Sequence, residues 1–224
     1  MPKEILLIGT VHIDPRGPER LEHLLNEYDP EVIALEGSQS VLNKLISKHQ
    51  HRVLAGREIL DRLLRFSHLN SDGMNVETAM KFFEAYGYEG YVSHNYAKNK
   101  GIPLVSLEND GLYDEAARQV SVSLREGETI NMSRALAEQV FKLPLENAQW
   151  VADLFYFALD KSSNFGNCVE RNRRMANEII RLDGRVAVIV GGAHVYGLEP
   201  SLKSLLSGYK LRDTLLANAL DFKF

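Results

Sequence analysis

Cysteine is nearly absent: the chain of 224 residues contains one, Cys168. A single thiol excludes an intramolecular disulfide and any multi-cysteine zinc or iron–sulfur site, and it suits a reducing compartment. Cys168 itself reads as a small buried apolar residue. An excess of one charge is missing too, with 26 Lys and Arg against 30 Asp and Glu, a formal −4. No electrostatic case for nucleic acid follows. No apolar run approaches the ~20 residues of a membrane span. The opening Met-Pro-Lys-Glu runs directly into a strand-like segment without the n-region, h-region and cleavage site of a secretory signal. The expectation is a soluble, cytoplasmic protein with no membrane span and no nucleic-acid partner. Several signature motifs are also lacking. Gly191-Gly192 forms neither a Walker loop nor a G-x-G-x-x-G fingerprint, Ser38 and Ser40 lie in no G-x-S-x-G elbow, and there is no H-E-x-x-H.

What is present is an ordinary globular composition, 45% hydrophobic and 25% charged, in a chain long enough to bury a sizeable core. The most informative stretch is Val186-Ala187-Val188-Ile189-Val190-Gly191-Gly192-Ala193-His194. Five apolar, mostly β-branched residues suit a strand buried on both faces of a parallel sheet, and the glycines allow a tight exit. Ile5-Leu6-Leu7-Ile8-Gly9-Thr10-Val11-His12 has the same construction. Two strands thus end in Gly-x-x-His.

Between them, Leu21, Leu24 and Leu25 mark a helix closed by Asp29-Pro30, and Val32 to Leu35 is a second strand followed by Glu36. Strand, helix and strand form a βαβ unit. From Ser38 to about Lys100 helical periodicity recurs, broken at Gly56, at Asn70 to Gly73 and from Gly87 to Gly90; it reads as a helical cap over the carboxyl edge of the sheet. Pro103 to Leu107 is a third strand, followed by Glu108. Helical stretches are expected from Asp114 to Leu159, from about Gly166 to Leu182 and after Pro200, and the segment from Leu211 to Phe224 reads as weakly helical. The expected fold class is α/β, a mainly parallel central sheet with helices on both faces, in a single domain over 1–224 with a helical cap insertion at about 38–100.

His12, Glu36, Glu108 and His194 each follow one of four predicted strands. Parallel strands bring their carboxyl ends to one edge, where open α/β sheets bind ligands. Two imidazoles and at least one carboxylate there suit Zn²⁺, Mn²⁺, Fe²⁺ or Co²⁺. The competing reading makes Glu36 and Glu108 helix caps or surface ion-pair partners. In the helix ahead of the last predicted strand, Asn172 falls on the apolar face with Val169, Ala176 and Ile179 and needs a buried hydrogen-bond partner. Arg171 borders that face, within reach of the cleft, where a guanidinium would stabilise a carboxylate, phosphate or oxyanion. His49, His51, His68 and His94 have no evident partner.

Four stretches, Ile-Gly-Thr-Val-His at 8–12, Val-Ile-Ala-Leu-Glu at 32–36, Glu-Arg-Asn-Arg-Arg-Met-Ala at 170–176 and Val-Gly-Gly-Ala-His-Val-Tyr-Gly-Leu at 190–198, together resemble the TraB/PrgY family. That family is grouped with the Tiki proteases, GumN-like proteins and erythromycin esterase-like proteins. The resemblance covers both ends of the chain and says little about 38–165. It implies a metal-dependent hydrolytic site in which His12, His194 and Glu36 are metal ligands. Glu36, Arg171 and Asn172 would be the catalytic groups; Glu108, from its place after the third predicted strand, and Arg171 are expected to contact substrate. Many TraB relatives have Arg-Asp where this chain has Arg171-Asn172, and many carry carboxy-terminal membrane spans for which this chain has no counterpart.

Two functions compete. One is a divalent-metal hydrolase, with Mn, Co or Zn, cleaving a peptide or amide: Glu36 relays the proton unless it is itself a ligand, and Arg171 with Asn172 holds the oxyanion or substrate. The other is a non-catalytic protein that sequesters a peptide or small ligand, haem included, beneath the cap. Either is compatible with a peptide or small-molecule partner and with a homo-oligomer.

Overall fold

The computed structural model describes residues 2–12, 14–43, 46–47, 75–85, 87–109, 142–144, 147, 149, 168–197 and 200–219. In chain order these form β1 (Pro2–Thr10), α1 (Gly17–Tyr28), β2 (Val32–Leu35), α2 (Val76–Ala85), α3 (Tyr88–Lys100), β3 (Leu104–Ser106), α4 (Cys168–Ile179), β4 (Gly184–Gly191), a π-helical turn Ala193–Gly197, α5 (Leu202–Leu205) and β5 (Leu211–Leu215). The five strands make one sheet in the order β3-β2-β4-β1-β5, and every pairing is parallel. The α/β class and the parallel pairing of the four strands read from sequence are therefore realised. The helical stretch expected from Asp114 to Leu159 lies almost wholly outside the described residues.

Doubly buried strands explain why the apolar runs are continuous. Leu6, Ile8, Ile33, Leu35, Ala187 and Ile189 face a core shared with Leu21, Leu24 and Leu25 of α1 and Tyr88, Val92 and Tyr96 of α3. Ile5, Leu7, Ala34, Val186 and Val188 face the opposite core with Met175, Ala176 and Ile179 of α4 and with Leu202. The side chains of one strand thus divide alternately between two helical layers. α1 ends where Asp29 takes a left-handed conformation, φ 47°, ahead of Pro30.

The segment from Leu211 onward corrects the sequence reading. In place of a weak helix, Leu211–Leu215 is a parallel edge strand, with Ile5 opposite Leu211 and Gly9 opposite Leu215. Its polar middle hid it. Arg212 pairs with Glu4 at 2.9 Å, and Asp213 accepts hydrogen bonds from Tyr196 and Lys203, so charges that disguise a strand in sequence are satisfied at the sheet's rim.

The strand order also places the crevice. β2 sits beside β4, yet β2 continues to the layer holding α3, whereas β4 continues to the layer holding α5. Neighbouring strands whose connections depart to opposite faces open a cleft at their carboxyl ends. Glu36 follows β2 there, and the second Gly-x-x-His follows β4. Within the expected cap at 38–100, α3 packs along the sheet face beside α1 rather than over the edge, and only its first turn reaches the cleft. Residues 48–74 of that expectation lie outside the described residues.

Candidate functional site

Register staggers the two Gly-x-x-His turns by one residue: Gly9 lies opposite Val190 and Thr10 opposite Gly191. The stagger brings glycines together. A Cβ on Gly9 would stand 3.1 Å from the Cα of Gly192, 3.0 Å from Leu215 and 3.2 Å from Val195. Gly9 is needed for close approach, because its backbone is not among the positive-φ positions. Thr10 ties the same turns from its side chain, its Oγ1 donating to the carbonyl of Val190 at 3.2 Å.

Glu36 is the centre of the arrangement. Its backbone N–H donates to Ile189 O at 2.9 Å, fixing the end of β2 on β4. Its Oε2 accepts the Gly191 N–H at 2.6 Å, and its Oε1 accepts Arg171 Nη2 at 2.8 Å and lies 3.2 Å from His194 Nε2. Burial alone would push this carboxyl up. The charges of His194, His12 and Arg171 outweigh it and hold Glu36 well below the usual carboxylate range, so it is ionised at neutral pH.

Arg171, near the start of α4, is clamped from behind. Glu108, its side chain only 3% exposed, accepts Nε at 2.6 Å on one oxygen and Nη2 at 2.8 Å on the other. This is the bidentate fork that only arginine offers. Burial disfavours the charged guanidinium, but Glu108 and Glu36 more than offset that, and Arg171 stays a cation. Glu108, read from sequence as a substrate contact, thus meets Arg171. It also lines a separate polar groove of about 460 Å³ with Arg174, Asn177 and Arg181.

The next residue on α4 turns the other way. Asn172 is fully buried. Its Nδ2 donates to Pro200 O at 3.0 Å, which leaves Oδ1 to accept from His194 Nδ1 at 2.6 Å. The buried partner that the apolar-face position demanded is therefore His194. The bond to Asn172 at Nδ1 turns the ring so that Nε2 faces Glu36.

His12 is handled in parallel, by a residue that sequence reading missed. Its Nδ1 donates to Glu89 Oε1 at 2.8 Å, and Glu89 is buried in the first turn of α3. The His12 side chain is 58% exposed, so the rise of its pKa to about 9 comes from the Glu89 carboxylate, with desolvation opposing it. The only local clue to Glu89 is an acidic residue between Gly87 and Gly90 at a helix start, read from sequence simply as a break. A Cβ on Gly191 would lie 3.3 Å from Glu36 Oε2 and 3.5 Å from His12 Nε2, so both atoms border the same glycine.

The resulting cleft has a volume of about 170 Å³ and is lined by His12, Glu36, Glu89, Thr10, Gly87 and Gly191 among others. Among the described residues, no three His, Cys, Asp or Glu side chains already form a group able to hold a metal ion. In kind, two imidazoles and a carboxylate are the donors that such ions take. Each imidazole is held through Nδ1 by an oxygen acceptor, as metal-bound histidines are, leaving Nε2 on the side of Glu36. No helix among the described residues is long and apolar enough to cross a membrane. Compared with protein-family models, curated proteins and solved structures, the chain finds no match.

Proposed function

We propose that the protein is a metal-dependent hydrolase of the TraB/Tiki type, cleaving a peptide or amide at the carboxyl edge of the sheet. The observation that carries this reading is the pairing of two histidines, each tethered at Nδ1, with one ionised glutamate at the ends of neighbouring strands. His12, His194 and Glu36 would hold a Mn²⁺, Co²⁺ or Zn²⁺ ion. When bound, such an ion lowers the pKa of a water to about 7 and polarises a carbonyl.

The chain's own groups supply the rest. Where it does not itself ligate the ion, Glu36, ionised and facing the cleft, would accept the proton of the attacking water and pass it to the leaving amine. Arg171, anchored by Glu108, holds the Glu36 carboxylate in place and ionised. Asn172 acts through His194, holding the ring so that Nε2 faces Glu36. The described cleft is about 170 Å³. It can seat a scissile bond with the remainder of a substrate outside.

The test is elemental analysis of native protein, followed by chelation and return of each cation alone. The expected result is one site per chain, lost in both His12→Ala and His194→Ala. A chain that takes up none of these cations overturns the metal reading.

A further inference from the structure

We propose that Glu89 is a positioning residue of this site: from the first turn of α3 it grips His12 at Nδ1 and so aims Nε2 at the cleft beside Glu36. The inference rests on the hydrolase reading for its purpose, though not for its geometry.

Three observations converge. The carboxylate is 2.8 Å from Nδ1 and its side chain is only 7% exposed, whereas the ring it holds is 58% exposed. A half-exposed imidazole at a turn has little packing to fix it, and rotation about its side-chain bonds would swing Nε2 away. Next, the turn and the helix are stitched a second time, because the Gly87 N–H donates to His12 O at 3.1 Å. Gly87 has φ 72°, a left-handed conformation suited to glycine, and it places Glu89 in the first turn of α3 facing back toward β1. Finally, Glu89, Gly87 and Gly90 line the same cleft as His12 and Glu36.

The two histidines are therefore tethered unequally. His194 is held by the neutral, buried amide of Asn172, and His12 by a carboxylate. A carboxylate acceptor makes the opposite ring nitrogen a stronger donor to a cation, so His12 is the more electron-rich ligand of the pair. Its anchor comes from the β2-to-β3 connection, so positioning of His12 depends on the docking of α3 against α1.

Two readouts test this on the full chain. The first is Co²⁺ affinity by calorimetry. Glu89→Ala should weaken it by about 10- to 100-fold, the usual effect of removing such a partner, and Glu89→Gln, which keeps an acceptor for Nδ1, should recover part of the loss. The second needs no metal: long-range ¹H–¹⁵N spectra of the His12 ring in metal-free protein, recorded above the His12 pKa where the ring is neutral. The proton should sit on Nδ1 in the wild type and move to Nε2, the nitrogen an unconstrained imidazole favours, in Glu89→Ala. A wild type that binds no Co²⁺ but shows this tautomer switch defeats the hydrolase reading and leaves the positioning role standing. A ring whose tautomer and Co²⁺ affinity are both indifferent to Glu89→Ala overturns the inference.

Discussion

Asn172→Ala removes a side chain whose two polar ends are both engaged in the interior. The variant loses the 2.6 Å bond to His194 and the 3.0 Å bond to Pro200 O, and each partner remains behind. A hydrogen bond contributes about 0.5–1.5 kcal/mol net, and a buried group left unpaired costs about 1–3 kcal/mol. His194 and Asn172 are both buried, so water cannot readily replace the amide. A total loss of about 2–4 kcal/mol is expected, which at roughly 3 kcal/mol per molar moves a urea midpoint down by about 1 M. Asn172→Asp separates the two bonds. A carboxylate still accepts from Nδ1 but cannot donate to Pro200 O, so Asp should be less damaging than Ala to both cation affinity and stability. The assay is urea unfolding of metal-free protein followed by fluorescence, with Co²⁺ titration of the same samples. A loss under about 0.5 kcal/mol for Ala, or an Asp variant no better than Ala, would refute the assignment of Asn172 as the clamp on His194.

Gly191→Ala should act on function more than on folding. The backbone there is not in the left-handed region, but the new methyl would press on Glu36 Oε2 at 3.3 Å while only touching His12 Nε2 at 3.5 Å. Turnover is expected to fall about 10²-fold, as for a small misplacement of reacting groups. Unchanged turnover would mean that Gly191 does not border the reacting space. The His12 pKa gives a pH dependence of stability. Raised from 6.5 to about 9 on folding, the ring binds its proton more tightly in the native state; its contribution is complete below pH 6.5 and disappears as pH rises through 9. In metal-free protein the stability difference between wild type and Glu89→Gln should therefore shrink as pH climbs through that window. A difference that grows would reverse the sign of the interaction.

Legibility in the sequence followed burial. β1, β2 and β4 are buried on both faces and wrote themselves as continuous apolar runs; α4 showed its buried stripe through Asn172, Met175, Ala176 and Ile179. β5 pairs on one side only, through residues whose charges are satisfied by Glu4 and Lys203, so no apolar run announced it. At the site, His12, Glu36 and His194 were legible because each follows a strand. The partners that hold them were legible only in part. Asn172 betrayed itself as a polar residue on an apolar face, whereas Glu89 is 77 positions from His12 and makes sense only once α3 is docked beside α1. Glu108 was recognisable as a strand-end acid, but its bidentate hold on Arg171 spans 63 positions and depends on where α4 lies against β3. Pairings of this kind arise from topology, which no local pattern encodes.

Turnover of a diverse peptide pool by cation-loaded protein, wild type beside Glu36→Gln, tests the central claim most directly. The substitution keeps the shape of Glu36 and an acceptor for Arg171 while removing the charge and the base. The hydrolase reading expects cleavage in the wild type that depends on Mn²⁺, Co²⁺ or Zn²⁺, reduced about 10²- to 10⁴-fold in Glu36→Gln with the fold intact. Metal-dependent cleavage at an equal rate in both proteins, or an untouched pool with verified cation in the wild-type site, would contradict it.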